Sequence, residues 1–265
     1  MMRACPPMDD RHQLFGAVLD TIQAELDWER LGRTYCEGDG TDFFHDELRE
    51  RWLDVGLKIA DVLAGHLTSG SGRSVYIGAA LAELPIMLVE SIVLGREVVW
   101  INVACDEIDE LERVVRLAAG RFEIALPLPS VVGLESLPRA SFDHVWLVSV
   151  LTDPDHFPAL HDELYERRGT ELATARGTLT EDRERAEQLA TSALALAADG
   201  ALLSTTAEEL AVLSPLCRSR GRRMRPLVDE VETAIVGDAL TLYRYASADD
   251  PVEPDQDPPR RSEVS

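Results

Sequence analysis

The sequence has few cysteines, and they stand far apart. Cys5, Cys36, Cys105 and Cys217 form no CxxC pair and have no histidine nearby at the spacing of metal ligands. Neither a zinc site nor a disulfide framework is therefore indicated. We expect no metal, and scattered thiols are typical of a reducing cytoplasm.

Positive charge and long apolar runs are also scarce. Lys58 is the only lysine, and 26 basic residues face 48 acidic ones, which gives a formal net charge of -22. This charge repels phosphate backbones, so we expect no nucleic-acid partner. No apolar run approaches the roughly 20 residues of a membrane helix, and the opening MMRACPPMDD lacks the apolar core of a signal peptide. We accordingly expect no membrane partner.

The first part of the chain has a helical pattern. Apolar residues at every fourth position predict helices over residues 9–32 and 42–67. The small polar residues SGSGR at 69–73 then mark a turn. We therefore expect an N-terminal helical cap over residues 1–68.

Apolar runs and helical patterns alternate after this turn. The runs have the continuous apolar character of strands that are buried on both faces. The predicted strands are residues 74–77, 97–103, 121–128, 143–151 and 201–205, and the predicted helices between them include 81–94 and 106–119. This alternation predicts an α/β fold with a mainly parallel sheet.

The C-terminal part differs in kind. VETAIVGDALTLYRY, residues 231–245, predicts an antiparallel hairpin with a two-residue connection at Gly237-Asp238. Residues 247–265 are polar and rich in proline, which predicts a disordered acidic tail. The α/β domain would then cover residues 69–246.

Two further signals precede the hairpin. Thr206 and Glu209 form a capping box that starts a helix, which Pro215 should interrupt. RSRGRRMR, residues 218–225, then brings five arginines together in an acidic protein. We interpret these arginines as partners of the protein's own acids or of a second subunit, with an acidic ligand as the alternative.

This succession of strands and helices, closed by a hairpin, resembles the class I S-adenosylmethionine-dependent methyltransferase fold over residues 70–245. IGAALAELP stands where that family has its glycine-rich first motif, VVWINVACDEIDELERV where its second strand presents an acid to the ribose, and SFDHVWLVSVLTD where its fourth strand leads into the active site. The resemblance implies a Rossmann-like, mainly parallel seven-stranded sheet with a C-terminal antiparallel hairpin and an N-terminal helical cap. It also implies S-adenosylmethionine as the cofactor.

The first motif departs from the family's pattern. Its GxGxG becomes Gly78, Ala80 and Ala82, and alanine can replace glycine where φ is negative. The alternative is a tight strand-to-helix junction that uses small residues only for packing. A nicotinamide-binding fingerprint fits less well, because Ala80 and Glu83 occupy two of the three glycine positions of GxGxxG.

The resemblance assigns further residues to the cofactor. Tyr76 stands where the family often has an acid, and Asn102 stands where it has the acid that binds the ribose hydroxyls. An amide can accept one hydrogen bond and donate another, but it lacks the charge. Glu83 near the turn and Ser149 at the end of the fourth strand complete the predicted cofactor site.

Chemistry is expected where the parallel strands end. Asp153 or His156 could act as a general base toward a substrate hydroxyl or amine; alternatively, Asp153 only caps the following helix. Tyr35, Phe44 and His45 could form an aromatic lid that binds a small substrate. The alternative for these three residues is core packing at a helix junction.

Two functions follow from these expectations. The first is a methyltransferase that moves a methyl group from S-adenosylmethionine to oxygen, nitrogen or sulfur of a small-molecule acceptor. The second is a methyltransferase-like domain that has lost catalysis and serves as a binding or regulatory subunit, because Tyr76, Ala80 and Asn102 depart from the family's pattern. A homodimer or a protein partner is compatible with both.

Overall fold

The computed structural model describes residues 8–35, 43–165, 178–233 and 238–249. Cys5, Cys36 and residues 250–265 of the predicted tail lie outside these ranges, so the disorder expected of the tail stays a prediction. No helix within the described ranges is long and apolar enough to cross a membrane.

The described residues form one sheet and the helices that cover it. The strands are β1 (Arg73–Ile77), β2 (Glu97–Ile101), β3 (Pro129–Ser130), β4 (Phe142–Leu147), β5 (Ala197–Thr206), β6 (Arg222–Pro226), β7 (Val231–Glu232) and β8 (Ala239–Ser247). The helices are α1 (Met8–Glu25), α2 (Trp28–Tyr35), α3 (Asp46–Ala64), α4 (Leu84–Leu88), α5 (Asp106–Phe122), α6 (Pro158–Leu164), α7 (Leu179–Leu196) and α8 (Leu210–Ser219).

The sheet has the order β3-β2-β1-β4-β5-β8-β6, and β7 pairs with β8. Strands β1 to β5 pair in parallel, whereas β8 runs antiparallel to β5, β6 and β7. The predicted Rossmann-like, mainly parallel sheet is confirmed, but the described residues form eight strands and not seven. The chain moves outward from β1 in one direction and returns beside it as β4, and such a reversal opens a crevice beyond the carboxyl ends of the strands.

Two hydrophobic layers cover the sheet. Tyr76 and Trp146 face the layer that contains α1, α3 and α5, whereas Val75 and Val145 face the layer that contains α7 and α8. The helices before β1 share the first core cluster with the strands. This double cover explains why the central strands are apolar on both faces.

The predicted helix over residues 9–32 is two helices. Asp27 separates them, because its Oδ1 accepts a hydrogen bond from the backbone N–H of Arg30 at 2.9 Å. The Asp27 N–H itself donates to Glu110 Oε1 of α5 at 2.8 Å. A capping aspartate and a long-range contact therefore break a periodicity that continues in the sequence.

The predicted helix over residues 81–94 is also subdivided. It consists of a 3₁₀ turn at Leu81–Glu83, the short helix α4 and a π-helical turn at Val89–Val93. Glu90 lies in this π-helical turn and is only 1% exposed. A regular helix over residues 81–94 would not have predicted this burial.

The third strand lies later and is shorter than predicted. Residues 121–128 do not form it, because α5 continues to Phe122 and ends at Glu123 with a left-handed φ of 52°. β3 comprises only Pro129 and Ser130, which pair with β2. Proline has no N–H to donate to a sheet, which explains a short strand at this edge.

The arginine-rich segment forms edge strand β6, which its composition did not predict. Arg222 makes an ion pair with Asp199, and its guanidinium lies 5.4 Å from the centre of the Tyr245 ring. The interpretation of this cluster as partners of the protein's own acids is thus confirmed for Arg222.

Two details of the C-terminal part differ from expectation. The hairpin is present as β7 and β8, but Glu232 pairs with Ala239 and the Thr233 N–H donates to the Asp238 carbonyl at 3.2 Å, so Asp238 belongs to the paired part and not to the predicted turn. Residues 234–237 lie outside the described ranges. Pro215 lies within α8 and does not interrupt it.

Candidate functional site

A cavity of about 540 Å³ lies where β1, β2, β3 and β4 end. This volume falls within the range of small-molecule sites, about 300–1,000 Å³. The strands contribute the floor, and α7 and the turn after β4 contribute one wall. The lining residues are Ile77, Gly78, Ile101, Asn102, Val103, Ala104, Val131, Val132, Gly133, Leu134, Glu135, Ser149, Val150, Asp153, His156, Phe157, Leu189 and Ser192.

Exposed apolar side chains surround this cavity. Val103, Val131 and Val132 are 49%, 64% and 43% exposed, respectively, and all three line it. Valine side chains are usually buried, and these three together give the cavity an exposed apolar patch. The segment after β3 was not singled out in the sequence, although its position at a carboxyl end of the sheet could have indicated it.

Gly78 lets two turns approach each other at the cavity. It has a φ of 71°, and a Cβ added there would lie 2.5 Å from Cγ2 of Val150. The turn after β1 therefore contacts the turn after β4, and both the positive φ and the contact require glycine. Ala80, Ala82 and Glu83 follow Gly78 but do not line the cavity.

Carboxylates of the protein bind the backbone of this turn. Glu83 Oε2 accepts a hydrogen bond from the Ala80 N–H at 2.8 Å, and Glu107 Oε1 accepts one from the Leu81 N–H at 3.0 Å. The hydroxyl of Tyr35 also donates to Glu107, at 2.5 Å. Burial raises the pKa of Glu83 to about 7 and raises that of Glu107. The two donors of the turn are thus already used within the protein.

Asn102 is held by the backbone around it. Its Nδ2 donates to the Ala79 carbonyl at 2.7 Å, and its Oδ1 accepts from the Val103 N–H at 2.7 Å. The indole of Trp100 donates to the same carbonyl at 2.7 Å. Asn102 lines the cavity with the orientation of its amide determined by these bonds.

Tyr76 belongs to a buried polar network and does not line the cavity. Its side chain is fully buried, and its hydroxyl donates to Glu90 at 2.6 Å. Glu90 also binds the hydroxyl of Ser74, Nδ1 of His144 at 2.8 Å and Nε of Arg96 at 3.2 Å. Tyr76 therefore lies within a buried network outside the cavity lining, and its predicted cofactor role stays a prediction.

Ser149 lies at the cavity in a strained conformation. Its φ is 56°, which is unfavourable for a residue with a Cβ. Its hydroxyl donates to Asp238 Oδ2 at 2.7 Å, and the hydroxyl of Tyr165 donates to the same oxygen at 2.7 Å. Glu209 accepts the next two backbone N–H groups, of Val150 at 2.7 Å and Leu151 at 2.8 Å. Two carboxylates from distant segments therefore hold this turn.

Asp153 and His156 are brought together at the cavity. Asp153 Oδ1 accepts the backbone N–H of Asp155 at 2.7 Å and that of His156 at 3.2 Å. Its Oδ2 lies 3.4 Å from Nδ1 of His156, and both side chains are partly exposed. Asp153 thus caps this turn and lines the cavity at the same time, and the predicted role as a base remains a prediction.

The residues predicted to bind substrate do not line the cavity. Phe44 is 1% exposed and packs 5.4 Å from Trp28 and 5.3 Å from Tyr35, measured between ring centres. His45 is the N-cap of α3 and accepts the Leu48 N–H at 3.3 Å. Phe44 thus packs in the core, whereas His45 is exposed and caps a helix. A substrate role for Tyr35, Phe44 and His45 stays a prediction.

Several cavity residues carried no usable signal in the sequence. Leu189 and Ser192 come from α7, which is distant in sequence from the strands that they face. Asp238 acts on Ser149 from the other end of the chain. Within the described ranges, no cluster of three or more histidine, cysteine, aspartate or glutamate side chains could hold a metal ion.

Comparisons with known proteins found structural neighbours only. No protein-family model and no curated protein matches the sequence. A transferase from Pyrococcus horikoshii is 12% identical, with 74% of this chain and 64% of that chain covered and a TM-score of 0.45. TYW2 from P. horikoshii, solved in complex with MeSAdo, is 12% identical, with 73% and 62% covered and a TM-score of 0.43. The chain thus spans less than two thirds of the length of these two proteins.

A third neighbour is matched over most of its own length. A SAM-dependent methyltransferase from Aquifex aeolicus is 12% identical, with 76% of this chain and 93% of that chain covered and a TM-score of 0.44. Likeness at this level concerns the fold and carries no argument about activity. The strand order, the antiparallel β8 and the cavity at the carboxyl ends rest on the structure itself. The chain has a Rossmann-like α/β fold with a mainly parallel sheet.

Proposed function

We propose that the protein is an S-adenosylmethionine-dependent methyltransferase that acts on a small molecule, in the cytoplasm. The position of the cavity carries the proposal. It lies beyond β1 and β4, where the strand order reverses, and this is where open α/β sheets bind ligands.

The cavity residues fit the adenosyl part of this cofactor. The exposed valines Val103, Val131 and Val132 offer apolar walls for a flat ring system. Asn102 and Ser149 lie among them as oriented polar groups. These residues would hold the cofactor and exclude water from it.

The chemistry divides between cofactor and protein. When bound, S-adenosylmethionine supplies a methyl group on a positively charged sulfur, which becomes a neutral thioether after transfer. The protein aligns the acceptor with this methyl group, and this orientation lowers the activation barrier of the transfer. Asp153 and His156 form a pair that can accept the proton of an acceptor hydroxyl, amine or thiol.

One observation favours the alternative function. The Ala80 and Leu81 N–H groups, donors that an anionic part of a ligand could use, already bind Glu83 and Glu107. A domain whose turn is closed in this way could have lost catalysis and act as a binding or regulatory subunit with a protein partner or as a homodimer.

Calorimetric titration of the full chain with S-adenosylmethionine and S-adenosylhomocysteine tests the proposal. We expect binding of the donor in the micromolar range, and a Ser192→Trp variant should lose it because the indole fills the cavity. Gln188→Trp is the matched control, since Gln188 is exposed on the same helix and does not line the cavity. The absence of heat with either compound, from a protein folded by circular dichroism, would contradict the proposal and favour the alternative.

A further inference from the structure

Ser149 lines the cavity, and its hydroxyl has only acceptor capacity left for a ligand. A carboxylate only accepts hydrogen bonds, so Ser149 must donate its single proton to Asp238 Oδ2, at 2.7 Å. The Tyr165 hydroxyl donates to the same oxygen and orients the carboxylate. The lone pairs of Ser149 Oγ remain for a ligand. Asp238 is thus a positioning residue, because it accepts the hydrogen bond of the Ser149 hydroxyl and leaves Ser149 only an acceptor role toward a ligand.

Asn102 also offers a hydrogen-bond acceptor to a ligand. Its amide donates through Nδ2 to the Ala79 carbonyl at 2.7 Å, which determines which way the amide faces. Its Oδ1 accepts only the Val103 N–H in the described contacts, and a carbonyl oxygen has a second lone pair. A second uncharged group of the cavity therefore offers an acceptor.

The charges of the lining are mainly negative. Glu135 and Asp153 both line the cavity, and the described lining residues include no arginine or lysine. His156 is their one basic side chain, and its Nδ1 lies 3.4 Å from Asp153. Arg185, which contacts the carbonyl of His156, makes an ion pair with the buried Asp182 at 2.5 Å. A bound phosphate would meet acids and acceptors here.

We infer that this cavity selects ligands that are positively charged and donate hydrogen bonds, and that it rejects phosphorylated ones. The inference rests on the proposed function and deepens it. The sulfonium of S-adenosylmethionine carries the favoured charge, and the thioether of S-adenosylhomocysteine does not. The cavity therefore binds the donor more tightly than the product, which promotes product release after each transfer.

The test compares four compounds by titration calorimetry at low salt and pH 8. They are S-adenosylmethionine, S-adenosylhomocysteine, methylthioadenosine and adenosine monophosphate. We expect the donor to bind at least about 5-fold more tightly than S-adenosylhomocysteine, since two partly screened carboxylates contribute on this order. Adenosine monophosphate should bind more weakly than methylthioadenosine.

Charge-removing variants assign the selectivity to the cavity. The double variant Glu135→Gln/Asp153→Asn should reduce the preference for the donor to within about 2-fold, because the local negative charge is removed. It should reduce the affinity for uncharged methylthioadenosine by a smaller factor than the affinity for S-adenosylmethionine. Glu135→Gln alone, outside the turn that Asp153 caps, should reduce the preference in part. The control Glu184→Gln/Glu187→Gln removes the same charge from exposed positions of α7. This control should preserve the preference for the donor.

The outcomes separate this inference from the proposed function. Equal affinity for donor and product in the unmodified protein would overturn the inference and leave the proposed function standing. An equal loss of preference in the α7 control would overturn it too, since the net charge of -22 would then be the cause. No binding of any adenosyl compound would overturn the proposed function, and the inference with it.

Discussion

Glu90 has a buried, charged environment that its sequence context does not indicate. It lies in an apolar segment, yet Tyr76, His144 and Arg96 all contact its carboxylate beneath the sheet. Burial alone would raise the pKa of Glu90, but His144 and the hydrogen bonds from Ser74 and Tyr76 outweigh it and lower the pKa to about 2. The network therefore favours the charged carboxylate, although it is almost completely buried.

Glu90→Gln should lower the free energy of unfolding by about 3 kcal/mol, because it removes one member of a buried ion-pair network and leaves Arg96 and His144 without their shared partner. Urea denaturation monitored by circular dichroism would measure this loss. Glu29→Gln is the control, since the Glu29–Arg33 pair is exposed and should contribute no more than about 0.5 kcal/mol. A loss below about 1 kcal/mol for Glu90→Gln would show that the network contributes little.

Single residues also show the limit of sequence reasoning about the site. Gly78 could be assigned to the first turn from its position, because a strand followed by a glycine is a local pattern. Ser149 could be placed at a strand end for the same reason. Asp238 could not, since its contact with Ser149 depends on how β8 returns beside β5.

At the scale of elements, α5 shows how one helix end displaced a predicted strand. The helix runs to Phe122, and its C-cap, Glu123, adopts φ 52° and ψ 43°. The backbone N–H of Glu123 donates to the Ala119 carbonyl. Phe122 and Ile124 suggested a strand by their apolar character, but they serve as contacts of the helix end with the core.

Glu123→Gly should raise the free energy of unfolding by about 0.5–1 kcal/mol, because glycine adopts the left-handed conformation of a C-cap without the steric cost of a Cβ. Thermal and urea unfolding would measure the gain. Glu123→Ala removes the same carboxylate but keeps the Cβ, so it should give no comparable gain. Equal stabilisation by both variants would mean that charge, and not backbone conformation, is the cause.

At the scale of the whole molecule, buried glutamates and the acidic composition together determine how the stability depends on pH. Burial raises the pKa of Glu83 and of Glu209 to about 7, well above the values of unfolded chains. Stability from these two groups is complete below their unfolded pKa and is lost as the pH rises toward 7. Glu90 acts in the opposite direction, because its pKa is lowered, so its contribution is lost as the pH falls toward 2.

We therefore expect the Tm to be highest at about pH 4.5, roughly the unfolded pKa of glutamate, and to decrease toward both pH 8 and pH 3. The net charge of -22 adds self-repulsion at neutral pH, so added salt should raise the Tm there. Differential scanning calorimetry across this range would measure both effects. Glu83→Gln should make the decrease between pH 5 and pH 8 smaller, whereas a Tm that rises steadily to pH 8 would contradict the assignment.

The sequence by itself determined the fold class and the edge of the sheet at which to look for a site. Strand periodicity and the alternation with helices are local properties, because each depends on the spacing of apolar side chains along one segment. β1, β2, β4 and β5 therefore lie where the apolar runs predicted them. The resemblance in the segments after β1, β2 and β4 points to the same edge as the cavity.

Only the tertiary structure decided what each polar group does. Glu83 and Glu107 close the turn after β1, Glu90 is buried, and Asp238 orients Ser149. These roles depend on contacts between segments that are distant in the sequence or turned by an irregular helix, and local periodicity contains no information about such partners. The polarity and charge of the cavity, and hence its expected selectivity, therefore follow from the packing of the whole chain.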